Sequence, residues 1–295
     1  MARPSFVSLP VDTWVNGEPQ STTSIHDRGL QYGDGFFTTL LINNQQILNW
    51  SAHWRRIENS CNALNFPVPD REQLKSWIAR ALLSYLNEKQ EQNCVLKILF
   101  TRGVGGIGYQ APSEIKLNCL FVIKPSPITN IEKANQPMEA GWCNHLASIS
   151  GMAGIKSLNR LENVLARTEI VVSGFSEGIM CNHNQQVVCG TQSNVFIIQD
   201  KRVITPKLDL SGVEGTTRYR LMSLLPDLGY QVEETELTIE KIHQADELFF
   251  CNAVRGIQPV NKFLNTEFCC EQTKSIHQAW LNWQLKNAIN IQEFV

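Results

Sequence analysis

The sequence predicts a two-domain protein of mixed α/β (α+β) class. Its 295 residues suffice for two domains of ordinary size, and 43% of them are hydrophobic, enough for sizeable cores. Amphipathic helical patterns and short β-rich runs follow one another along the chain. A polar, proline-containing stretch interrupts them, so we expect an N-terminal α/β domain at residues 1–124, a linker at 125–137 and a C-terminal domain at 138–295.

Composition argues against several classes of protein. A net charge of −2 offers no basic field to nucleic acid or anionic lipid, and no apolar run reaches the roughly 18 residues of a membrane-spanning helix. The N-terminus lacks the apolar core of a signal peptide. Nine cysteines without a CxxC pair indicate reduced thiols, and six histidines without HxxxH or HExxH spacing argue against a metal. We expect a cytoplasmic protein that binds neither nucleic acid nor membrane.

The N-terminal region begins with strands and a glycine-containing loop. Residues 6–17 are typical of a short strand pair, and residues 24–41 of an irregular loop that leads into a strand. Gly33 and Gly35 flank Asp34 in that loop. They indicate either a tight turn or backbone that passes close to a neighbouring group, such as a ligand.

Two helices are expected next. Ser51 is expected to cap the first, whose apolar stripe is Trp54, Ile57, Cys61 and Leu64. Arg55 and Arg56 lie off this stripe, and either of them could reach an anion or lie on a solvated face. The second helix is expected over residues 71–87.

A glycine-rich loop follows the buried strand expected at residues 94–100. Gly103, Gly105 and Gly108 match the letters of a dinucleotide fingerprint, but that motif requires a helix to begin there. Another strand, at 116–123, follows instead. We therefore predict a hairpin loop and no NAD site.

Lys156 stands directly before a predicted helix. Ser157 can cap its first turn and Gly174 can end it, with Leu158, Leu161, Leu165 and Val172 near one face. The partial positive charge of a helix N-terminus would lower the pKa of the lysine and favour the neutral amine that Schiff-base chemistry needs. A solvated surface lysine is the alternative.

The C-terminal region continues with a hairpin and a second candidate site. Residues 187–198 are typical of a β-hairpin or meander, and Gly215-Thr216-Thr217 opens a helix that extends to about residue 228. Free N–H groups and two hydroxyls at a helix N-terminus suit a phosphate, although an ordinary helix cap is the alternative. A strand at 247–252 and a helix at 273–288 are expected at the end.

The order of these motifs is more specific than any one of them. The chain contains Asp27-Arg28-Gly29-x-Gln31-Tyr32-Gly33-Asp34-Gly35, His53-x-x-Arg56, Gly154-x-Lys156, Thr191-x-Ser193-Asn194-x-Phe196 and Gly215-Thr216-Thr217. This set resembles the class-IV (fold type IV) pyridoxal-phosphate (PLP) enzymes, which include branched-chain and D-amino-acid aminotransferases and 4-amino-4-deoxychorismate lyase. The resemblance covers nearly the whole chain.

The resemblance implies a two-domain fold type IV enzyme, D-amino-acid aminotransferase-like, with PLP at the domain interface. Lys156 would bind PLP as a Schiff base. The phosphate would be held by Arg56, Gly215, Thr216 and Thr217, with Ser193 and Asn194 beside the ring or phosphate. The family is typically dimeric, so a homodimer is expected, with the Asp27–Gly29 loop near the partner subunit.

Within the family, the run from Lys156 to Leu165 resembles the lyase branch. Branched-chain aminotransferases usually have a tyrosine five residues after the lysine, where this chain has Leu161. The resemblance implies a lyase that converts 4-amino-4-deoxychorismate to 4-aminobenzoate and pyruvate in folate biosynthesis. Lys156 would act as general acid and base, and Thr38 would deliver a proton to the leaving group. Candidates for substrate binding are Arg102, Asn159, Arg160, Asn252 and Arg255.

Two positions depart from the family pattern. Cys189 stands where a glutamate usually pairs with the pyridine nitrogen of PLP, and a neutral thiol cannot keep that nitrogen protonated as a carboxylate does. Ile107 stands where the lyase loop often has an arginine, for which Arg255 is a candidate substitute. These departures keep two alternatives open: a D-amino-acid or branched-chain aminotransferase, and a PLP-binding homologue with weak or no catalysis.

Overall fold

The structure, a computed structural model, describes residues 12–128, 130–133 and 135–295, with the backbone alone at residue 133. The helices of this part of the chain are α1 (Arg28–Tyr32), α2 (Trp50–Leu64), α3 (Arg71–Lys89), α4 (Leu161–Val172), α5 (Thr216–Asp227), α6 (Ile239–His243) and α7 (Glu271–Lys286). Short 3-10 helices span Ile131–Lys133 and Ile291–Phe294. The predicted mixed α/β class is confirmed.

The strands fall into two sheets. They are β1 (Thr13–Val15), β2 (Glu18–Pro19), β3 (Gly35–Asn43), β4 (Gln46–Ile47), β5 (Cys94–Thr101), β6 (Asn118–Pro125), β7 (Met138–Trp142), β8 (Glu177–Cys181), β9 (Val187–Gly190), β10 (Asn194–Gln199), β11 (Arg202–Pro206), β12 (Gln231–Thr235), β13 (Glu247–Asn252), β14 (Gly256–Phe263), β15 (Thr266–Glu267) and β16 (Ile289–Asn290). Of the strand pair expected at residues 6–17, residues 6–11 lie outside the described part.

The first sheet is antiparallel, in the order β16-β4-β3-β5-β6-β1-β2. Alternate residues of β3 face opposite sides of the sheet, and Phe36 and Leu40 join the buried core under α2 and α3. Strands β5 and β6 pair along eight residues each, with the glycine-rich loop between them. The predicted hairpin is therefore confirmed.

The second sheet is mixed, in the order β12-β11-β10-β13-β14-β7-β8-β9, with β15 paired to β14. Helices α5 and α7 pack on Phe196 and Phe249 of its central strands. Helix α4 packs on Met180 and on the segment around Cys189. Three buried clusters stabilise this half of the chain, because each helix covers a different apolar part of the sheet.

The chain passes from the first sheet to the second through residues 126–137, and its end returns to the first sheet. Strand β16 pairs with β4, and the ring of Phe294 lies 5.0 Å from that of Trp50 at the start of α2. The first sheet thus contains both early and final residues. The residue limits given above for the domains and linker stay predictions.

The helix predicted to begin directly after Lys156 begins four residues later than expected. Helix α4 begins at Leu161, and Ser157 forms an isolated antiparallel bridge with Phe36 of β3. The predicted apolar face is also wrong at Leu161, Leu165 and Val172, which are exposed, whereas Ala166 and Ile170 are buried. Ser157 is held against β3 by this bridge, and the tertiary contact overrides the capping preference of Ser157.

The cap predicted for α2 is wrong as well. The helix begins at Trp50, one residue before Ser51, and Asn49 precedes it in a left-handed conformation with φ 54°. The amide of Asn49 donates to the carbonyl oxygen of Thr216 at 3.3 Å, so this residue connects the start of α2 to the start of α5. Among the described residues, no helix is long and apolar enough to cross a lipid bilayer.

Candidate active site

Lys156 lies in an irregular segment between β7 and α4 that runs alongside β3 of the first sheet. The amide of Phe37 in β3 donates to the Lys156 carbonyl at 3.0 Å, and the amide of Leu158 donates to the Gly35 carbonyl at 3.0 Å. Two residues earlier, the carbonyl of Gly154 accepts from the amide of Glu214 at 2.9 Å. Lys156 is therefore fixed between β3 and the loop that leads into α5.

The amine of Lys156 is in a setting that favours its neutral form. Burial, together with the positive charges of Arg56, Arg160 and Lys97, lowers the pKa of Lys156 to about 7. The predicted lowering is confirmed, but its predicted cause is wrong because no helix begins at Lys156. Since about half of such amines are neutral at pH 7, Lys156 is suited to Schiff-base chemistry.

Arg56 points from α2 toward the same loop. It donates to the carbonyl of Glu214 at 2.8 Å and to the hydroxyl of Thr38 at 3.4 Å. Arg55 turns to the other side, where it pairs with the Glu214 carboxylate at 2.7 Å and covers the ring of Tyr219. Burial lowers the pKa of Arg56 to about 10, so it remains charged at neutral pH. Of the two arginines, Arg56 is the one available to an anion at the α5 end.

The start of α5 presents two hydroxyl groups that lack partners. Thr216 and Thr217 are buried, and in the described structure neither side-chain oxygen makes a hydrogen bond. Gly215 precedes them, and a Cβ there would collide with the side-chain oxygen of Asn194. Since buried hydroxyls are normally bonded, these two point to a ligand or water at the helix N-terminus.

Ser193 and Asn194 act on the loops around the site. The amide of Asn194 donates to the Val213 carbonyl at 2.9 Å, which fixes the loop before α5. The hydroxyl of Ser193 donates to the buried carboxylate of Glu177 at 2.8 Å. The same carboxylate accepts from the amide and hydroxyl of Thr191. Ser193 is thus occupied in holding the β9–β10 turn.

Cys189 lies on β9 near the Lys156 side chain. Burial and the nearby Glu177 carboxylate raise the pKa of the Cys189 thiol to about 12, while the positive charges of Arg160 and Lys156 partly oppose that rise. The thiol is therefore neutral at any physiological pH. The predicted position of Cys189 beside the ring of PLP stays a prediction.

Thr38 and His53 form a buried pair. Thr38 has the same parity on β3 as Phe36 and Leu40, so it faces α2, and its hydroxyl lies 2.7 Å from Nδ1 of His53. Phe37, on the opposite face, lies under the Lys156 amine at 4.6 Å from the ring centre. The role predicted for Thr38 as a proton donor to the leaving group stays a prediction.

The predicted substrate-binding residues are spread around the glycine-rich loop, the Lys156 segment and the β13–β14 turn. Arg102 is bonded to the Asp34 carboxylate at 2.8 Å and to the Leu64 carbonyl at 3.0 Å. Asn159 donates to the Gly33 carbonyl at 3.2 Å. Asn252 accepts from the amide of Arg255 at 2.8 Å, which shapes the turn after β13. These bonds are structural, and substrate binding by the four residues stays a prediction.

Arg160 has the most favourable position of the set. It is half-buried, contacts Ser157 and Asn163 at 3.3 Å each, and lies close enough to Lys156 and Cys189 to affect the pKa of both. A cation at that point suits a carboxylate next to the reacting carbon.

Three residues near this site were given no individual role by the sequence, although two of them lie in its motifs. Arg28 donates to Asp34 at 2.9 Å and to the Gly108 carbonyl at 2.9 Å, so it holds the glycine-rich loop that carries exposed Ile107. Glu177 and His53 received no role from the sequence. Glu177 begins the otherwise apolar strand β8, and an acidic residue in such a strand was the available signal. The backbone at Gly33 and Gly35 passes close to neighbouring protein atoms. A Cβ at Gly33 would meet the side chain of Asn159, and a Cβ at Gly35 would meet the carbonyl of Phe100.

A cavity of about 640 Å³ opens beside Arg56, a volume suited to a small molecule. Its wall includes Gly154, Ile155, Glu214 and Arg218. Lys156, Thr216 and Thr217 are not among the residues that line this cavity, so it adjoins the candidate site through Arg56, Ile155 and Glu214 without containing the reactive amine.

Comparison with known proteins identifies the family. A model of the class IV amino-transferases matches residues 35–263. The chain belongs to the class IV aminotransferase family. Aminodeoxychorismate lyase of Vibrio harveyi is 34% identical over 250 residues, which cover 84% of this chain and 90% of the relative. A putative branched-chain-amino-acid aminotransferase of Methanocaldococcus jannaschii is 26% identical over 288 residues, 95% of this chain and 99% of the relative.

A solved structure extends this similarity to the fold. The 4-amino-4-deoxychorismate lyase of Pseudomonas aeruginosa matches with a TM-score of 0.83 and 31% identity, over 92% of this chain and 99% of that chain. The predicted family resemblance and fold type are confirmed. The class IV family therefore includes lyases and aminotransferases on one architecture.

Class IV aminotransferases and lyases use PLP, and the residues present fit that cofactor. The two unpartnered hydroxyls at the start of α5 and the charged Arg56 match a phosphate group. The Lys156 amine, with its pKa of about 7, is suited to form a Schiff base with the aldehyde of PLP.

Proposed function

We propose that this class IV family member is a PLP-dependent lyase that converts 4-amino-4-deoxychorismate to 4-aminobenzoate and pyruvate, a step in folate biosynthesis. The observation that carries the proposal is the 34% and 31% identity to two lyases, against 26% to the Methanocaldococcus jannaschii aminotransferase. Leu161 supports it, since branched-chain aminotransferases usually have a tyrosine there. We also propose a cytoplasmic location, which its nine free cysteines suit.

The residues of the site would act as follows. Bound PLP supplies an electron-withdrawing ring that stabilises negative charge on the carbon next to the amine. Arg56, Thr216 and Thr217 would hold its phosphate. Lys156 would hold its aldehyde carbon and, when the substrate amine displaces it, would take the proton from the amine-bearing carbon of the substrate. A pKa near 7 lets Lys156 both accept and return that proton.

Product analysis tests the proposal. Purified protein with PLP should release pyruvate and 4-aminobenzoate from 4-amino-4-deoxychorismate. Parallel reactions with 2-oxoglutarate and either D-alanine or L-leucine test the two aminotransferase alternatives, of which the branched-chain one is favoured by the similarity over 95% of the chain to the Methanocaldococcus jannaschii protein. Amino transfer without lyase products would support that alternative, and no product in either reaction would support a PLP-binding homologue.

The neutral thiol of Cys189 is expected to disfavour amino transfer, which depends on a strongly electron-withdrawing ring. We expect Cys189→Glu to shift the absorbance of bound PLP and to raise amino transfer from D-alanine about tenfold, since one pKa unit at the ring nitrogen corresponds to a factor of about ten. Cys189→Gln is the control, because glutamine has the shape of glutamate but no charge. If the glutamate variant has the spectrum and rates of the parent protein, the role given to Cys189 is wrong.

The low pKa of Lys156 predicts how cofactor capture depends on pH. Burial and neighbouring cations disfavour the ammonium form, so the reactive amine predominates above pH 7 and falls about tenfold per pH unit below 6. We expect the rate at which the apoprotein binds pyridoxal to follow this curve, with a midpoint near pH 7. Pyridoxal is used because the phosphate of PLP titrates near pH 6. A midpoint above pH 9 would contradict the lowered pKa.

We further propose a homodimer that is formed through an exposed apolar surface. Leu30, Ile107 and Tyr109 are exposed large apolar side chains, and the Tyr109 ring lies 5.6 Å from that of Tyr32. We expect light scattering to give twice the 33.4 kDa chain mass, and Ile107→Asp to weaken association. Val68→Asp, at an exposed position before α3, is the control. A parent protein that is monomeric at micromolar concentration would exclude the dimer.

A further inference from the structure

A chain of three side chains, of which Thr38 and His53 are buried and Arg56 is half-buried, connects α2 to β3 beside the proposed phosphate site. The Thr38 hydroxyl lies 2.7 Å from Nδ1 of His53 and accepts from Nη1 of Arg56 at 3.4 Å. Thr38 is 0% exposed and His53 is 1% exposed, and both contacts are direct. The other terminal nitrogen of Arg56 bonds to the Glu214 carbonyl, one residue before Gly215.

The direction of each hydrogen bond follows from which of the three groups can donate a proton and which can accept one. A guanidinium can only donate, so the Thr38 oxygen accepts from Arg56. A buried hydroxyl proton needs an acceptor, and in the described part of the chain His53 Nδ1 is the one acceptor bonded to Thr38. A hydrogen bond from the Thr38 hydroxyl to Nδ1 requires the neutral imidazole tautomer that carries its proton on Nε2.

We propose that His53 is a positioning residue for the cofactor phosphate. His53 accepts the hydrogen bond of the Thr38 hydroxyl. The Thr38 oxygen is then an acceptor that fixes the Arg56 guanidinium at the start of α5. The inference rests on the proposed function, since it requires Arg56 to bind the phosphate of PLP. In this arrangement the hydrogen bond of the Thr38 hydroxyl is directed to His53.

The charges around His53 agree with this arrangement. Burial, with the positive charges of Arg56 and Lys156, holds the pKa of His53 well below its usual value, so the imidazole stays neutral. A neutral ring can accept from Thr38 at Nδ1, whereas a charged ring could not and would repel Arg56.

Cofactor binding with and without the phosphate tests the proposal. Dissociation constants of PLP and pyridoxal are measured for the apo forms of the parent protein and of the Thr38→Val, Thr38→Ser and His53→Leu variants. We expect Thr38→Val and His53→Leu to weaken PLP binding about tenfold, as for the loss of about one hydrogen bond, with pyridoxal affected less than about twofold. Thr38→Ser, which keeps the hydroxyl, should restore PLP binding.

Several outcomes would overturn the inference. Equal loss of PLP and pyridoxal binding would mean a general structural role, and unchanged PLP binding in Thr38→Val would mean that the hydroxyl does not position Arg56. Nitrogen NMR of His53 in the parent protein should show Nδ1 without a proton, and a protonated Nδ1 would also overturn it. A parent protein that binds neither aldehyde would instead overturn the proposed function, and with it the phosphate role of Arg56.

Discussion

Lys156→Ala should lower the rate of pyruvate release by about 10,000-fold, the upper end of what a single positioned acid–base group contributes. The variant loses both the amine that bonds to PLP and the base that removes the substrate proton. It should still bind PLP through Arg56 and the two threonines, because that site lies at the start of α5. Borohydride treatment followed by peptide mass spectrometry is the direct readout, and the parent protein should carry reduced cofactor on Lys156.

Lys97 provides a matched control for this experiment. Its amine also lies over the Phe37 ring, at 4.4 Å from the centre, and burial lowers its pKa as well. We expect Lys97→Ala to retain cofactor on Lys156 after reduction. Reduced cofactor on Lys97 in the parent protein, or substantial pyruvate release by Lys156→Ala, would show that the wrong lysine has been assigned.

Arg56→Ala should weaken PLP binding by about 100-fold or more, because a half-buried guanidinium makes two charge-assisted hydrogen bonds to phosphate, each contributing about 1.5 kcal/mol. Binding of pyridoxal should change little. Arg55→Ala is the matched control, one residue away on the same helix. Its ion pair with Glu214 is partly exposed, and such pairs contribute at most about 1 kcal/mol. Similar losses in the two variants would contradict the assignment of the phosphate to Arg56.

The fold class could be predicted from local patterns and from the family resemblance, and the candidate members of the site were named through that resemblance. The apolar alternation of β3 and β5, the turn residues between β5 and β6, and the Gly215-Thr216-Thr217 helix start are each readable within a short window. The choice between Arg55 and Arg56 was not readable in this way. Both lie off the apolar stripe, and the contact of Arg56 with the Glu214 carbonyl, 158 residues away, distinguishes them.

What the sequence predicted wrongly was determined by contacts distant in the chain. The residues after Lys156 have good helix-forming patterns, yet they pair with β3, and α4 begins only at Leu161. The low pKa of Lys156 therefore comes from burial and three neighbouring cations rather than from a helix terminus. The pairing of His53 with Thr38 is likewise a contact between a helix and a strand that neither local pattern contains.

Lys156 and its neighbours are proposed to perform elimination rather than amino transfer. The most direct test is to supply 4-amino-4-deoxychorismate to the PLP-loaded protein without any keto acid and to measure both products over many turnovers. We expect equal amounts of pyruvate and 4-aminobenzoate, with Lys156→Ala inactive. Failure to form either product, together with steady amino transfer from D-alanine to 2-oxoglutarate, would contradict the claim.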